Sequence, residues 1–328
     1  SPVRATVSLD SLARATNGTT VAMGVDSNMQ PATVDISQHG LIAAIAPSRR
    51  GKTQAIRTML YLLKRANPSL NIVVVAFKTE DWKAFESCAT LIVDSDELKQ
   101  FQAWLLATMY KRAKHPESNR WIIVFDDLAN LLTVNPELQN SILQFSSLGA
   151  GTGITTVVST QFTGKDSGGV AMTANATARL LFKPSSNSQA ARDGGMARLG
   201  LDQLSTQKGD ALLVVDGDTV RIATSMTDDR LIEQLHGSVP ARDWLHKESQ
   251  PQHNYGALPT SIGVHPMEEA IEKLNGWLLD DGTFDWSVGK FNNRSEALRR
   301  LGWSNNGSGV EKLKELEYYI FERQVSRR

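Results

Sequence analysis

A single cysteine, Cys88, stands among 328 residues. That excludes an intramolecular disulfide framework, fits a reducing compartment, and reads Cys88 as a small core hydrophobe. An excess of either charge is missing too, since Lys+Arg and Asp+Glu both number 35. A nucleic-acid partner would therefore be met by local basic surface rather than by a global field. No apolar run approaches the roughly 20 residues that span a bilayer, and no signal peptide opens the chain. The expected location is cytoplasmic, with membrane association if an anchor lies upstream of Ser1, which is not a methionine. No internal repeat or low-complexity tract is evident. What is present is bulk. Hydrophobic content of 41% can fill one large core, and the length leaves room for a second, small domain.

Strand-like and helix-like segments alternate from about Val21 to Leu235, the pattern of a parallel α/β sheet. Residues 41–45, 72–77, 121–125 and 155–159 are short apolar runs that read as buried strands. Residues 53–63 place Ile56, Met59, Leu60 and Leu63 on one helical face. Residues 95–112 do the same with Leu98, Phe101, Leu105 and Met109, with Asp94, Asp96 and Glu97 near the positive end of the helix dipole. Around Asp216-Gly217 the flanking β-branched runs predict a hairpin, and Asp228 predicts the N-cap of a short helix.

After Gly237 the periodicity fades into Pro, His, Gln, Asn and Ser. The expected organisation is a domain over residues 1–236, a linker over 237–260 and a small, mainly helical domain over 261–328. In that last domain, helical patterns at residues 267–279, 295–301 and 310–320 are broken by a Gly/Asn turn after Gly302. The outline is that of a helix-turn-helix or winged-helix module that binds DNA, or of a small bundle that docks on a protein partner. Arg294, Arg299, Arg300, Lys312 and Lys314 are interleaved with Glu296, Glu311, Glu315 and Glu317, a mixture usual on a solvated helix face.

Chemistry concentrates at Ala46-Pro47-Ser48-Arg49-Arg50-Gly51-Lys52-Thr53, one residue away from a phosphate-binding P-loop. A loop between a buried strand and a helix start aims backbone N–H groups and a positive dipole at an anion. Ser48, Arg49, Arg50, Gly51, Lys52, Thr53 and Gln54 are the candidate nucleotide contacts. Lys52 would reach the β- and γ-phosphates, and the Thr53 hydroxyl would ligate Mg²⁺. Ala46 stands where the pattern wants glycine, so the first turn is either altered or accommodates a methyl group.

Phosphoryl transfer also needs carboxylates, to hold the metal and to orient water. Asp126 and Asp127 follow the apolar run 121–125 at the strand end where ligands bind in α/β sheets. Asp126 is the Mg²⁺ candidate and Asp127 the water-polarising one. Gln161, at the end of the next strand, has an amide able to bond both a phosphate oxygen and the water. The nucleotide is expected to be ATP, because no Asn-Lys-x-Asp guanine-reading element follows.

These residues, in order, resemble the motor domain of FtsK/HerA-type DNA translocases. The resemblance runs from Met23-Gly24-Val25-Asp26 and residues 31–36 through the P-loop to Phe125-Asp126-Asp127-Leu128-Ala129-Asn130-Leu131. It continues over residues 152–161, then Asn175 to Arg179, Phe182, Ser185-Ser186, Asp193-Gly194-Gly195, Leu199-Gly200 and Gly209-Asp210-Ala211-Leu212. It covers about residues 20–236 and implies a RecA-like P-loop NTPase fold. It also implies a homo-oligomeric ring, usually hexameric, that hydrolyses ATP with Mg²⁺ between subunits and pulls double-stranded DNA through its centre. Three positions depart from the pattern: Ala46, Asp127 where the family usually has glutamate, and Ala150 where its trans-acting arginine would align. Arg179 and Arg192 are the substitute arginine candidates, and Lys165 lies in a Gly-rich loop suited to phosphate contact. The leading expectation is an ATP-driven DNA translocase of a plasmid, virus or other mobile element. The competing ones are a nucleotide-binding DNA tether or partition scaffold with slow turnover, and a metabolic P-loop kinase.

Overall fold

The computed structural model describes residues 7–161, 175–184, 200–245, 274, 293–303, 312, 313 and 316. The chain divides into two compact units, residues 1–250 and 251–328.

The first unit is built on one ten-stranded sheet. Its strands are β1 (Thr20–Val25), β2 (Pro31–Asp35), β3 (Leu41–Ile45), β4 (Asn71–Val75) and β5 (Thr90–Ile92), followed by β6 (Trp121–Phe125), β7 (Ile154–Thr160), β8 (Ala178–Phe182), β9 (Asp210–Val215) and β10 (Asp218–Ala223). Their spatial order is β2-β1-β10-β9-β8-β3-β7-β6-β4-β5. From β8 to β5 all pairs are parallel. From β2 to β8 all are antiparallel. The sheet is therefore mixed, and the expectation of a parallel sheet is corrected for this antiparallel wing. Connection length explains part of it: β1 and β2, and β9 and β10, are joined by loops far shorter than the dozen residues a parallel crossover needs. At the second of these turns Asp216 and Gly217 both have positive φ, 51° and 97°, the backbone of a tight two-residue hairpin.

Helices cover both faces. Helix α1 is Leu9–Arg14, α2 Lys52–Ala66, α3 Ser95–Lys114, α4 Leu128–Val134, α5 Leu138–Thr152 and α6 Asp229–Glu233. Alternation along the strands sorts the core into two layers. Ile42, Ala44, Ile72, Val74, Ile122 and Val124 pack on the side of α2, while Leu41, Ala43, Ile45, Val73, Val75, Ile123 and Phe125 pack on the side of α3 and α5. Ile56, Met59, Leu60 and Leu63 are buried on α2, as are Leu98, Phe101, Leu105 and Met109 on α3. Each such side chain contributes about 1.5–3 kcal/mol of hydrophobic burial. Asp94 caps α3 by accepting from the N–H groups of Asp96 and Glu97, and Asp228 caps α6 by accepting from Arg230 N–H.

Residues 237–245, which the loss of periodicity suggested as the start of a linker, run as a packed strap across the first unit. The buried Lys64 ammonium donates to the carbonyls of Leu70 (2.7 Å) and Ser238 (2.6 Å). Thr90 Oγ1 donates to Pro240 O, and Arg242 bonds Leu91 O and Glu97. Trp244 meets Phe101 edge-on at 4.7 Å between centroids and donates from Nε1 to Glu97 at 2.9 Å. A lone tryptophan in a polar stretch was the signal for this anchor.

In the second unit the described elements are α7 (Asn293–Leu301) and a few isolated positions. Ala297, Leu298 and Leu301 are buried, and Gly302 ends the helix with a φ of 68°. Hydrogen bonds from Arg299 and Arg300 hold the Glu296 carboxyl down to about 2. The remaining helices expected there, and with them the helix-turn-helix outline, lie outside the described residues.

Candidate nucleotide-binding site

The C-terminal edge of the parallel strands opens into a cavity of about 830 Å³. Residues of the loop after β3 line it: Ser48, Arg49, Gly51, Lys52, Thr53 and Gln54. Ala46 is fully buried and its N–H donates to Thr160 O at 3.1 Å, so it extends the pairing of β3 with β7. It is not among the residues with positive φ. The methyl group therefore sits in the core at no backbone cost, and the left-handed turns fall later, at Arg49 (φ 66°) and Gly51 (φ 102°). Gly51 is the N-cap of α2, and no side chain caps that first turn. Its orphan N–H groups are left for a ligand at the cavity wall.

Lys52 sits at the centre. Burial pushes its ammonium below the usual lysine range, while the charges of Asp126 and Asp127 oppose that shift. Its Nζ lies 3.5 Å from Ala46 O.

The acidic pair is held firmly. Asp126, 7% exposed, accepts at Oδ2 from Trp82 Nε1 (2.9 Å) and at Oδ1 from the Ser159 hydroxyl. Its own N–H continues the sheet by donating to Val75 O at 3.0 Å. Ser159 Oγ in turn accepts from Asp127 N–H at 2.9 Å. Asp127 adopts a left-handed conformation (φ 54°), which turns its carboxylate away from the strand line. There it accepts from Lys78 Nζ at 3.2 Å and Asn130 Nδ2 at 2.6 Å. Asp126, Asp127, Lys78 and Gln161 all line the cavity.

Other candidates fall elsewhere. Arg50 is outside the cavity lining, its guanidinium donating to Thr206 O. Arg179 lies mid-strand on β8, opposite Ala43 and Val214, and does not line the cavity. Arg192 and Lys165 lie outside the described residues. Ala150 is exposed on α5. Sequence reasoning missed Lys78 and Trp82, which reach the carboxylates from the segment after β4, and the far wall formed by Lys208, Gly209, Thr224, Ser225 and Met226. A tryptophan and a lysine just after an apolar strand run were the available signals for the first two.

The donor set fits a magnesium-bound polyphosphate. An uncapped helix start and a lysine suit the anion, while the Thr53 hydroxyl and the Asp126 carboxylate are oxygen donors of the kind Mg²⁺ takes. Gln54 Oε1 is buried there with no hydrogen-bond partner among the described residues, a polar atom that a polar ligand would satisfy.

The sequence matches no protein-family model and no curated protein. Solved structures do match. The cytoplasmic domain of the Thermomonospora curvata type VII secretion ATPase EccC aligns with a TM-score of 0.57 at 17% identity, over 68% of this chain and 32% of that one. The pCW3 conjugation coupling protein TcpA, in a monomer form with ATPγS, gives 0.55 at 20% identity over 65% and 68%. The EssC ATPases 2 and 3 from Geobacillus thermodenitrificans give 0.54 at 16% identity over 69% and 46%. This chain thus spans about a third of the EccC domain and under half of the EssC pair. These neighbours are FtsK/HerA-type ATPases, and the likeness at such identities is one of fold. The chain shares with these structures a mixed α/β sheet flanked by helices.

Proposed function

We propose that the protein is an ATP-dependent motor that moves double-stranded DNA as a ring of identical subunits, hexameric in line with the FtsK/HerA resemblance. The observation that carries this reading is the meeting, in one cavity, of an uncapped helix start, a partly buried lysine and two anchored carboxylates. The N–H groups of the α2 start and Lys52 hold the phosphates, whose negative charge favours the ammonium form that burial disfavours. Thr53 and Asp126 hold Mg²⁺, which neutralises charge on the phosphate oxygens. Trp82 and Ser159 fix the Asp126 carboxylate in its rotamer, as outer-shell donors do for metal-site ligands. Asp127 and Gln161 orient the attacking water, and Arg179 or Arg192 of a neighbouring subunit stabilises the transferring phosphoryl group.

The fold of TcpA, described as a conjugation coupling protein, supports work on mobile-element DNA. The second unit then supplies contact to DNA or to a partner protein. A slow-turnover tether is favoured by one specific contact, the engagement of Asp127 by Lys78 and Asn130. In that case Asp127 would stay bonded while nucleotide is bound. Imaging of single particles with an ATP analogue and duplex DNA tests the motor reading. A closed ring with DNA in its bore is expected; isolated subunits or DNA bound only on an outer surface would overturn it.

A further inference from the structure

The cavity lining extends beyond the phosphate loop, and its two ends differ. In the sheet, β6 lies two strands to one side of β3 and β9 two strands to the other. The β6 end carries Asp126 and Asp127. At the β9 end a separate wall closes in. Because β9 runs antiparallel to β8, pairing Ala211 with Phe182, its start reaches the same edge as the P-loop. The end of β10 arrives there too, since Ala223 pairs with Asp210. Backbone bonds fix this wall to the loop: Gly209 N–H donates to Arg50 O at 3.3 Å, and Thr224 N–H donates to Gly209 O at 2.8 Å. Lys208, Thr224 and Met226 face the cavity, and Met226 is 65% exposed, the most open large apolar side chain among the described residues.

We infer that Met226, flanked by the Lys208 stem and Thr224, is the seat of the nucleobase. The inference rests on the nucleotide reading above and deepens it. A triphosphate whose terminal phosphate points to the carboxylates directs its ester end to the opposite wall, which is the β9–β10 one. An exposed thioether there is costly until a flat ring covers it, and sulfur–aromatic contact adds to the gain. Lysine stems also cover apolar surface while the ammonium stays in water. Thr224 contributes a hydroxyl for a polar base edge or ribose oxygen.

Equilibrium binding of two probes to the full chain in Mg²⁺ tests this: ATP and inorganic tripolyphosphate, which has the phosphates and no base. Met226→Ala is expected to raise the ATP dissociation constant about five- to tenfold and to leave that of tripolyphosphate unchanged. Met226→Leu, which keeps an apolar face, is expected to recover most of the loss. An unchanged ATP constant in Met226→Ala, or equal weakening of both probes, would overturn the base seat while leaving the phosphate site intact. A wild-type chain that binds neither probe would overturn the nucleotide reading itself.

Discussion

The parallel half of the sheet and its antiparallel wing meet at one cavity but are built by different means. In the parallel half each strand end delivers its side chains directly: Lys52 and Thr53 follow β3, Asp126 and Asp127 follow β6, and Gln161 follows β7. The wing delivers a wall through hairpin closure and backbone bonds, with Gly209 joined to Arg50 and Thr224 joined to Gly209. The carboxylates sit on the first side, while the second carries Lys208, Thr224 and Met226. Substitutions should therefore separate: those on the parallel side reduce turnover, and those on the wing leave it near wild type.

The largest effect is expected from Lys52→Ala. Phosphate release should fall by a factor of about 10² to 10³, as when a single donor to developing charge is removed. The melting temperature should barely move, because Lys52 makes one long bond within the protein. Asp126→Ala should abolish turnover to a similar degree and also destabilise the fold by about 2–3 kcal/mol in urea denaturation. It leaves the buried Trp82 N–H and Ser159 hydroxyl without their acceptor. Trp82→Phe is an intermediate case. It removes one donor to Asp126 and should cost about 1 kcal/mol of stability and roughly tenfold in turnover, the lower range for loss of an outer-shell partner. A Trp82→Phe protein with wild-type turnover would break the link between that hydrogen bond and the chemistry.

The smallest effect belongs to the wing. Burial alone would raise the Asp210 carboxyl, but hydrogen bonds from Arg221 and the Ser205 N–H outweigh it and hold the group below its ordinary value. A depressed folded value means that the stabilisation is complete above the unfolded value of about 3.9. It is lost as pH falls through the folded value. Asp210→Asn should therefore lower stability by about 1 kcal/mol at neutral pH and converge with wild type in strongly acidic solution, as read by denaturant midpoints across pH. Its turnover under saturating ATP should remain near wild type. A large loss of turnover would erase the division between the two halves.

Legibility in the sequence follows the same line. The runs behind β3 and β6 are continuous and apolar because those strands are buried on both faces; Asp126 ends the β6 run at once, and a Pro-Ser-Arg-Arg-Gly turn follows Ala46 after β3. That punctuation exposed Lys52, Thr53, Asp126 and Asp127. The β9–β10 hairpin was legible at Asp216-Gly217, but the antiparallel joins of β9 to β8 and of β10 to β1 were hidden, because strand direction there is set by how distant segments pair rather than by composition. Trp82 was hidden for a related reason: its hydrogen bond spans 44 residues and depends on where β4 and β6 lie in the sheet. The strap over residues 237–245 carries no hydrophobic period, so its anchors at Lys64 and Trp244 emerge only from packing. Ala46 shows the opposite case, where a mismatch to a motif proved harmless because the glycine conformation is required at Gly51 instead.

The central claim, an ATP site that drives work on duplex DNA, is tested most directly by steady-state phosphate release from the purified chain with and without double-stranded DNA, beside Lys52→Ala. Hydrolysis is expected to be stimulated severalfold or more by duplex DNA and to fall by a factor of about 10² to 10³ in Lys52→Ala. DNA binding with negligible turnover, or turnover indifferent to DNA, would contradict the claim.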